Sequence, residues 1–380
     1  MLPHALPDFR LEVYLGRWEF AARHHLTASD PQTLTIRELL ALGSADDREA
    51  FAELPLGYTP TWGTERLLAA IAATYETLRP EHVLTFSGAE EAMFWAVQEL
   101  VSAGEHALVT VPNYQSMESL AVATGAEVEG IALRIDDGSF DLRELVRLLR
   151  PNTRLVAVNF PNNPTGIVLS KAQFRELAGI CESRGITLLS DEVYRGIELD
   201  PLRTLPQAAD LSATAVSLNV MSKAYGLPGL RIGWLASQNR PLLERLERRK
   251  HYTTICNAAA SEFLAAVALE HAAEVQARIR SIIAANAPRF REFFDRWPDL
   301  FEWQPPAGGC VSFARYLGSD GVETFCRGLV EEAGIVLLPA SIFSSSLADV
   351  PQDRFRIGVG RRDPEPALSA FDSYLRGTRR

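Results

Sequence analysis

The chain is poor in lysine: of its 38 lysine and arginine residues only three are lysine, at positions 171, 223 and 250. It is poor in cysteine too. Cys181, Cys256, Cys310 and Cys326 are scattered, with no CxxC or Cys/His spacing. That excludes a zinc-ligand pattern and a disulfide framework, and it predicts free thiols in a reducing cytosol with no metal site. Basic charge is not in excess. With a net charge of −10 the chain lacks the positive face that nucleic acid or an anionic membrane requires. No apolar run approaches the ~20 residues of a membrane span, and the N-terminus lacks the charged, apolar, small-residue order of a secretory leader. No repeat or low-complexity tail is present. These absences lead to the expectation of a soluble, cytoplasmic protein that binds neither nucleic acid nor membrane.

What is present is length and apolar content. The 380 residues, 47% of them hydrophobic, are enough for two domains with a substantial core. From residue 82 onward, short β-rich runs alternate with helical segments. The predicted strands are 82–87, 107–111, 128–133, 155–159, 187–190, 215–220 and 232–236; the helices between them are 90–102, 116–124, 142–149 and 171–184. Apolar strands alternating with helices describe an α/β fold, here a mostly parallel seven-stranded sheet between helices. Helical sequence at 241–284 leads into a smaller α/β region with strands near 311–315, 334–338 and 355–359, and 300–309 reads as a loop. The first 50 residues fit no unit of the large sheet. The expected division is a large domain at 51–284 and a small one from 1–50 and 285–380.

Parallel sheets place ligands beyond their strand ends, so the residues just after each strand carry the functional reading. The first strand ends in Ser87-Gly88-Ala89-Glu90, a small turn opening a helix, where unpaired backbone N–H groups suit a phosphate. The second exits at Pro112-Asn113-Tyr114, with an aromatic that suits a flat ring. The fourth enters NFPNNPTG (159–166), a turn stiffened by prolines that aims an asparagine amide. The fifth ends in SDEVY (190–194), where a half-buried Asp191 needs a cationic or N–H partner. The sixth leads to Lys223. A lysine held in a dry pocket beside cations loses its proton and can form a Schiff base with an aldehyde, although by itself such a lysine also fits a solvated strand end. Lys171 and Lys250 lie among polar neighbours and are expected on the surface. Arg231 follows Lys223, and Arg356 lies inside a β-like run, where its planar fork suits a carboxylate. Together these groups make the set that holds pyridoxal 5'-phosphate and an amino acid.

Over residues 56–359 the chain resembles the class I/II aminotransferase family of fold-type I pyridoxal-phosphate enzymes, most specifically in NFPNNPTG, SDEVY and SKAYGLPGLRIGW (222–234). The resemblance implies roles residue by residue. Lys223 is the Schiff-base lysine and proton shuttle, Asp191 the partner of the pyridine nitrogen, and Asn163 and Tyr194 the donors to the ring's phenolic oxygen. Ala89 and Glu90 supply backbone N–H groups to the phosphate and Arg231 its guanidinium. Tyr114 stacks on the ring, and Arg356, with Asn163 beside it, clamps the α-carboxylate. Tyr58 reaches the phosphate of the neighbouring subunit, which implies a homodimer. Arg231 and the ring-side donors are expected to keep the lysine imine deprotonated. The chain departs from the pattern at Val220, where a hydroxylated residue is usual. Ser222 supplies a hydroxyl nearby, but strand alternation points it elsewhere.

The activity implied first is transfer of an amino group between an α-amino acid and a 2-keto acid. The first 50 residues are similar to the capreomycidine synthases, which use the same Cα chemistry to expel a β-substituent and cyclise an arginine derivative. That branch, together with the carbon–sulfur β-lyases, is the alternative. A remoter one is an effector-sensing domain of a regulator, but no segment is left for a DNA-reading helix. Trp18, Phe20 and Phe343 near the unassigned lid lean toward a neutral or aromatic substrate side chain.

Overall fold

A computed structural model of the chain describes residues 4–378. The strands are β1 (His24–His25), β2 (Val83–Phe86), β3 (His106–Val111), β4 (Glu127–Ala132), β5 (Thr153–Asn159), β6 (Thr187–Asp191), β7 (Val216–Val220), β8 (Gly233–Ala236), β9 (Phe301–Glu302), β10 (Val311–Tyr316), β11 (Ile335–Val336), β12 (Leu338–Pro339) and β13 (Arg354–Gly358). Seven of them form the large sheet in the order β2-β8-β7-β6-β5-β3-β4, in which β8 alone runs antiparallel to its neighbours. The expected seven-stranded sheet is therefore present.

Its central strands are buried at nearly every position. Helices cover both faces, and such strands read as continuous apolar runs. The edge strand β4 differs: its Glu127 and Glu129 pair with Arg150 and place charge on an otherwise pairable edge. Local signals start the helices. Asp141 caps Leu142–Leu148, and Ser170 forms a capping box with Gln173 at the head of Lys171–Glu182.

A second sheet, β12-β13-β10-β9, is antiparallel, and β1 pairs in parallel with β11. The N-terminal segment is thus tied to the C-terminal part of the chain. The single strand expected at 334–338 is two, because the chain leaves β1 after Val336 and joins β13 at Leu338. The loop expected at 300–309 opens with β9, whose Phe301 pairs with Tyr316. The helical stretch expected at 241–284 comprises Arg240–Lys250, Ala259–Glu270 and Ala272–Asp295, the last continuing past position 284. We keep the division at 51 and 284 as a proposal. All four cysteines are free, and among the described residues no helix is long and apolar enough to cross a membrane.

Lys250 corrects its sequence reading. It is fully buried, its Nζ donating to the Thr61 carbonyl at 2.5 Å and lying 5.7 Å from the Phe86 ring centroid. The polar residues beside it in the chain misled, because a helix buries a stripe and not a run. Leu242, Leu246 and Lys250 recur every four residues and share the inward face of Arg240–Lys250.

Candidate active site

The carboxyl ends of β2, β3, β5, β6 and β7 open into one cavity of about 440 Å³. A larger concavity of about 720 Å³ lies beside Trp95 and Arg249, but the titratable groups singled out above converge in the smaller one. Ala89, Glu90, Tyr114, Asn163, Asp191, Tyr194, Ser222, Lys223 and Arg231 all line it. Each follows or ends a strand, so the parallel order of the sheet assembles them from a span of more than 130 residues.

Lys223 Nζ donates to Ser29 Oγ at 2.8 Å. Burial pushes the amine below the usual lysine range; Asp30 opposes this and Arg356 adds to it. Among the cations, Arg356 is the one that lowers the free amine. Arg231, expected with the ring-side donors to act on the lysine imine, is exposed at the cavity mouth beside Gly88. Asp191 accepts one hydrogen bond through its carboxylate, from the Val193 N–H at 3.1 Å, and burial raises its pKa to about 7. Tyr194 is buried and donates its hydroxyl to the Ser29 carbonyl at 2.8 Å. Asn163 Oδ1 accepts from Arg356 Nη1 at 3.0 Å, which leaves the amide NH2 to point elsewhere.

Arg356 is 1% exposed and stands behind Asn163, not on the cavity wall. Its Nη2 donates to the Thr27 carbonyl at 2.8 Å, and its Nε has no partner among the described residues. Tyr114 packs on Phe9 with ring centroids 5.1 Å apart. The Glu90 carboxyl accepts from Ser116 Oγ at 2.5 Å, and burial raises its pKa. Tyr58 does not reach the cavity of its own chain; it is 94% exposed, near the equally bare Leu56. Val220 and Ser222 both line the cavity. The expectation that alternation points Ser222 elsewhere is corrected: residues two apart share a face of a strand, and Ser222 in any case lies in the turn after β7.

Several lining residues escaped the sequence reading. Leu11, Glu12, Leu15 and Glu19 form one face of the helix Arg10–Trp18 and its C-cap, closing the cavity from above. Arg10 anchors that helix to the Ile342 and Ser344 carbonyls, and Gln115 holds its first backbone N–H. Ser29, Asp30 and Arg361 complete the wall, with Arg361 and Asp30 paired at 2.6 Å. The mixed apolar and acidic spacing of the helix was visible in the sequence, but nothing local said which surface it faces. The aromatic lean is corrected as well. Phe20 is 95% exposed, Phe343 packs on Phe313 and Arg356, and neither these nor Trp18 lines the cavity.

These groups fit pyridoxal phosphate. Gly88 has a φ of 90°, and a Cβ there would collide with the Arg231 guanidinium, so the helix Ala89–Leu100 begins in a cradle with no side-chain cap. Bare N–H groups at a helix start beside a guanidinium suit a phosphate dianion. At the other end a buried carboxyl with one N–H partner suits a protonated ring nitrogen, which would return Asp191 to its ionised form.

The family model for aminotransferase class I and II matches residues 29–367. Capreomycidine synthase of Streptomyces vinaceus is 33% identical over the whole of this chain and 97% of its own length. A PLP-dependent aminotransferase from Streptococcus suis superposes with a TM-score of 0.91 at 28% identity, covering 98% of this chain and 99% of that one. The PLP-dependent cyclase OrfR superposes with a TM-score of 0.89 at 26% identity, over 99% of both chains. The chain belongs to the class I and II aminotransferase family. It is a fold-type I enzyme, and its cofactor is pyridoxal phosphate.

Proposed function

We propose that the protein acts on a free α-amino acid with a cationic, guanidinium-type side chain, and that it expels a β-substituent and closes a ring. The observation that carries the substrate class is the acidic lid: Glu12, Glu19 and Asp30 line the cavity, and neither Glu12 nor Glu19 has a cationic partner among the described residues. Carboxylates left unpaired over a half-enclosed cavity favour a cation by charge and by bidentate geometry. The full-length similarity to a cyclase, in sequence and in fold, supports the ring-closing course.

Bound pyridoxal phosphate supplies an electron sink for the bond broken at Cα. The rest falls to this chain's residues. Arg356, turned toward Asn163, would take the α-carboxylate. Lys223 Nζ would accept the Cα proton and later return it. Ala89, Glu90 and Arg231 would hold the phosphate, Asp191 the ring nitrogen, Asn163 the phenolic oxygen, joined by Tyr194 once its single hydroxyl proton turns from the Ser29 carbonyl, and Tyr114 the ring face. The acidic helix face would hold the guanidinium over Cβ. For a β-hydroxylated arginine the step balances as loss of one water: hydroxyl leaves Cβ, a guanidino nitrogen bonds to Cβ and gives up the N–H proton that completes the water, and the proton taken from Cα returns to Cα.

Amino transfer is the second reading, supported by the likeness to a solved aminotransferase; it uses the same lysine and clamp. The test is incubation of the holoenzyme with arginine and with β-hydroxyarginine, each with and without a 2-keto acid, followed by mass spectrometry. A product one water lighter, formed without keto acid, is expected. A keto-acid-dependent loss of the amino group would replace cyclisation by transfer. Turnover of neutral but not basic amino acids would remove the substrate class. We further infer a cytoplasmic homodimer in which Tyr58 serves the neighbouring subunit's phosphate.

A further inference from the structure

One segment touches both ends of the site's chemistry. The strap from Leu26 to Gln32 crosses the cavity, and three bonds fix it to the strand β13 and its exit. Leu26 O accepts from the Gly358 N–H at 2.7 Å, Gln32 N–H donates to Gly360 O at 2.8 Å, and Thr27 O accepts from Arg356 Nη2 at 2.8 Å. At its centre the Ser29 carbonyl accepts from the Tyr194 hydroxyl at 2.8 Å and from the Cys310 thiol at 3.3 Å. Asp30 is pinned by Arg361. The Ser29 backbone is therefore held from several sides, and its hydroxyl meets Lys223 Nζ at 2.8 Å.

We propose that Ser29 is a positioning residue for Lys223: its hydroxyl parks the lysine amine, aimed at the reacting carbon, whenever the substrate's amino group has taken the lysine's place on the cofactor.

A lysine side chain has four rotatable bonds, and a free amine in a cavity of this size has many orientations. Proton transfer needs one of them, within hydrogen-bond reach of the Cα proton. A fixed hydroxyl narrows that search, and because it can both accept and donate it serves the amine before and after the amine takes up the proton. The other charged and titratable groups acting on the amine are Asp30 on the strap, Arg356 on β13, Cys310 before β10 and Asp191 at the end of β6. None of the four makes a hydrogen bond to Nζ. The strap also bonds the arginine clamp through Thr27, two residues from Ser29, so a carboxylate arriving at Arg356 and the lysine leaving the cofactor meet on one rigid element. The inference needs only the family's cofactor and holds for ring closure and for amino transfer alike.

Ser29→Ala and Ser29→Thr test it, both as holoenzymes. Three readouts are taken: exchange of the substrate Cα proton for deuterium, the pH midpoint of the visible absorbance of the lysine-linked cofactor, and thermal stability. In Ser29→Ala exchange is expected to slow about tenfold, the worth of one hydrogen bond. The absorbance midpoint should move, KM and melting temperature should stay close to the parent, and Ser29→Thr should recover most of the exchange rate. Unchanged exchange and midpoint in Ser29→Ala would overturn the proposal. So would a loss that Ser29→Thr shares and that a fall in melting temperature accompanies, since that is the signature of a strap that merely packs.

Discussion

Lys223 and Lys250 are both enclosed, and their surroundings give them opposite tasks. Lys223 has a hydroxyl as its partner and faces an open cavity. Lys250 has a backbone carbonyl and an aromatic face, and burial pushes its pKa down to about 8. Nothing of the cofactor site touches Lys250, so its consequence is for stability. An amine whose pKa is lower in the folded state binds fewer protons there than when unfolded. Its stabilising share is then complete above the unfolded value near 10.5 and is lost as pH falls through about 8. The difference corresponds to at most about 3 kcal/mol. Lys250→Met is expected to remove the rise in unfolding free energy between pH 8 and 10.5 that the parent shows in urea titrations. An identical pH profile in the two proteins would place the titrating group elsewhere.

The decisive element is the helix Arg10–Trp18. It holds Leu11 and Leu15 against the cavity roof while Glu12 and Glu19, seven residues apart, come to the same face. Its anchors come from distant parts of the chain, at Gln115 after β3 and at Ile342 and Ser344 after β12. If the helix reads a cationic side chain, the effect belongs to binding and not to the chemical step. Glu12→Gln and Glu19→Gln should each raise KM for a basic amino acid about tenfold with kcat within about twofold. The double variant should lose most of its preference over a neutral isostere. Equal losses in kcat and kcat/KM would mean that the helix acts on the reacting atoms instead.

For the whole molecule, the prediction concerns the proposed homodimer. Tyr58, Leu56 and Tyr252 are about nine-tenths exposed, and Ile255 lies half-bare at a φ of 63° nearby. Leu56 and Tyr58 share one surface hollow with Thr254 and Cys256, the kind of exposed apolar surface that the proposed homodimer would cover, and Tyr58 does not line its own chain's cavity. Light scattering of the holoenzyme should give twice the mass of the 41.9 kDa chain. Tyr58→Phe should keep that mass and weaken cofactor retention several-fold. A monomer at micromolar concentration with full cofactor affinity would sink the assignment.

How much of this was legible in the chain differs by level. The seven strands, their order of use and the residues at their ends could be read, because buried parallel strands are continuous apolar runs and because function follows their carboxyl ends. Lys223, Asp191, Asn163, Tyr194 and Arg231 stand where that rule puts them. What the sequence by itself determined is therefore the sheet, the cofactor and which residues gather at the strand ends, all properties of short segments with their own local pattern. Tertiary structure alone decided the rest. It buried Lys250 on a helix stripe, set Arg356 behind Asn163, closed the cavity with Glu12 and Glu19, and brought Ser29 onto Lys223 across 194 residues. Those pairings join segments distant in the chain, and which surfaces of two such segments meet is settled by packing, on which no local pattern bears.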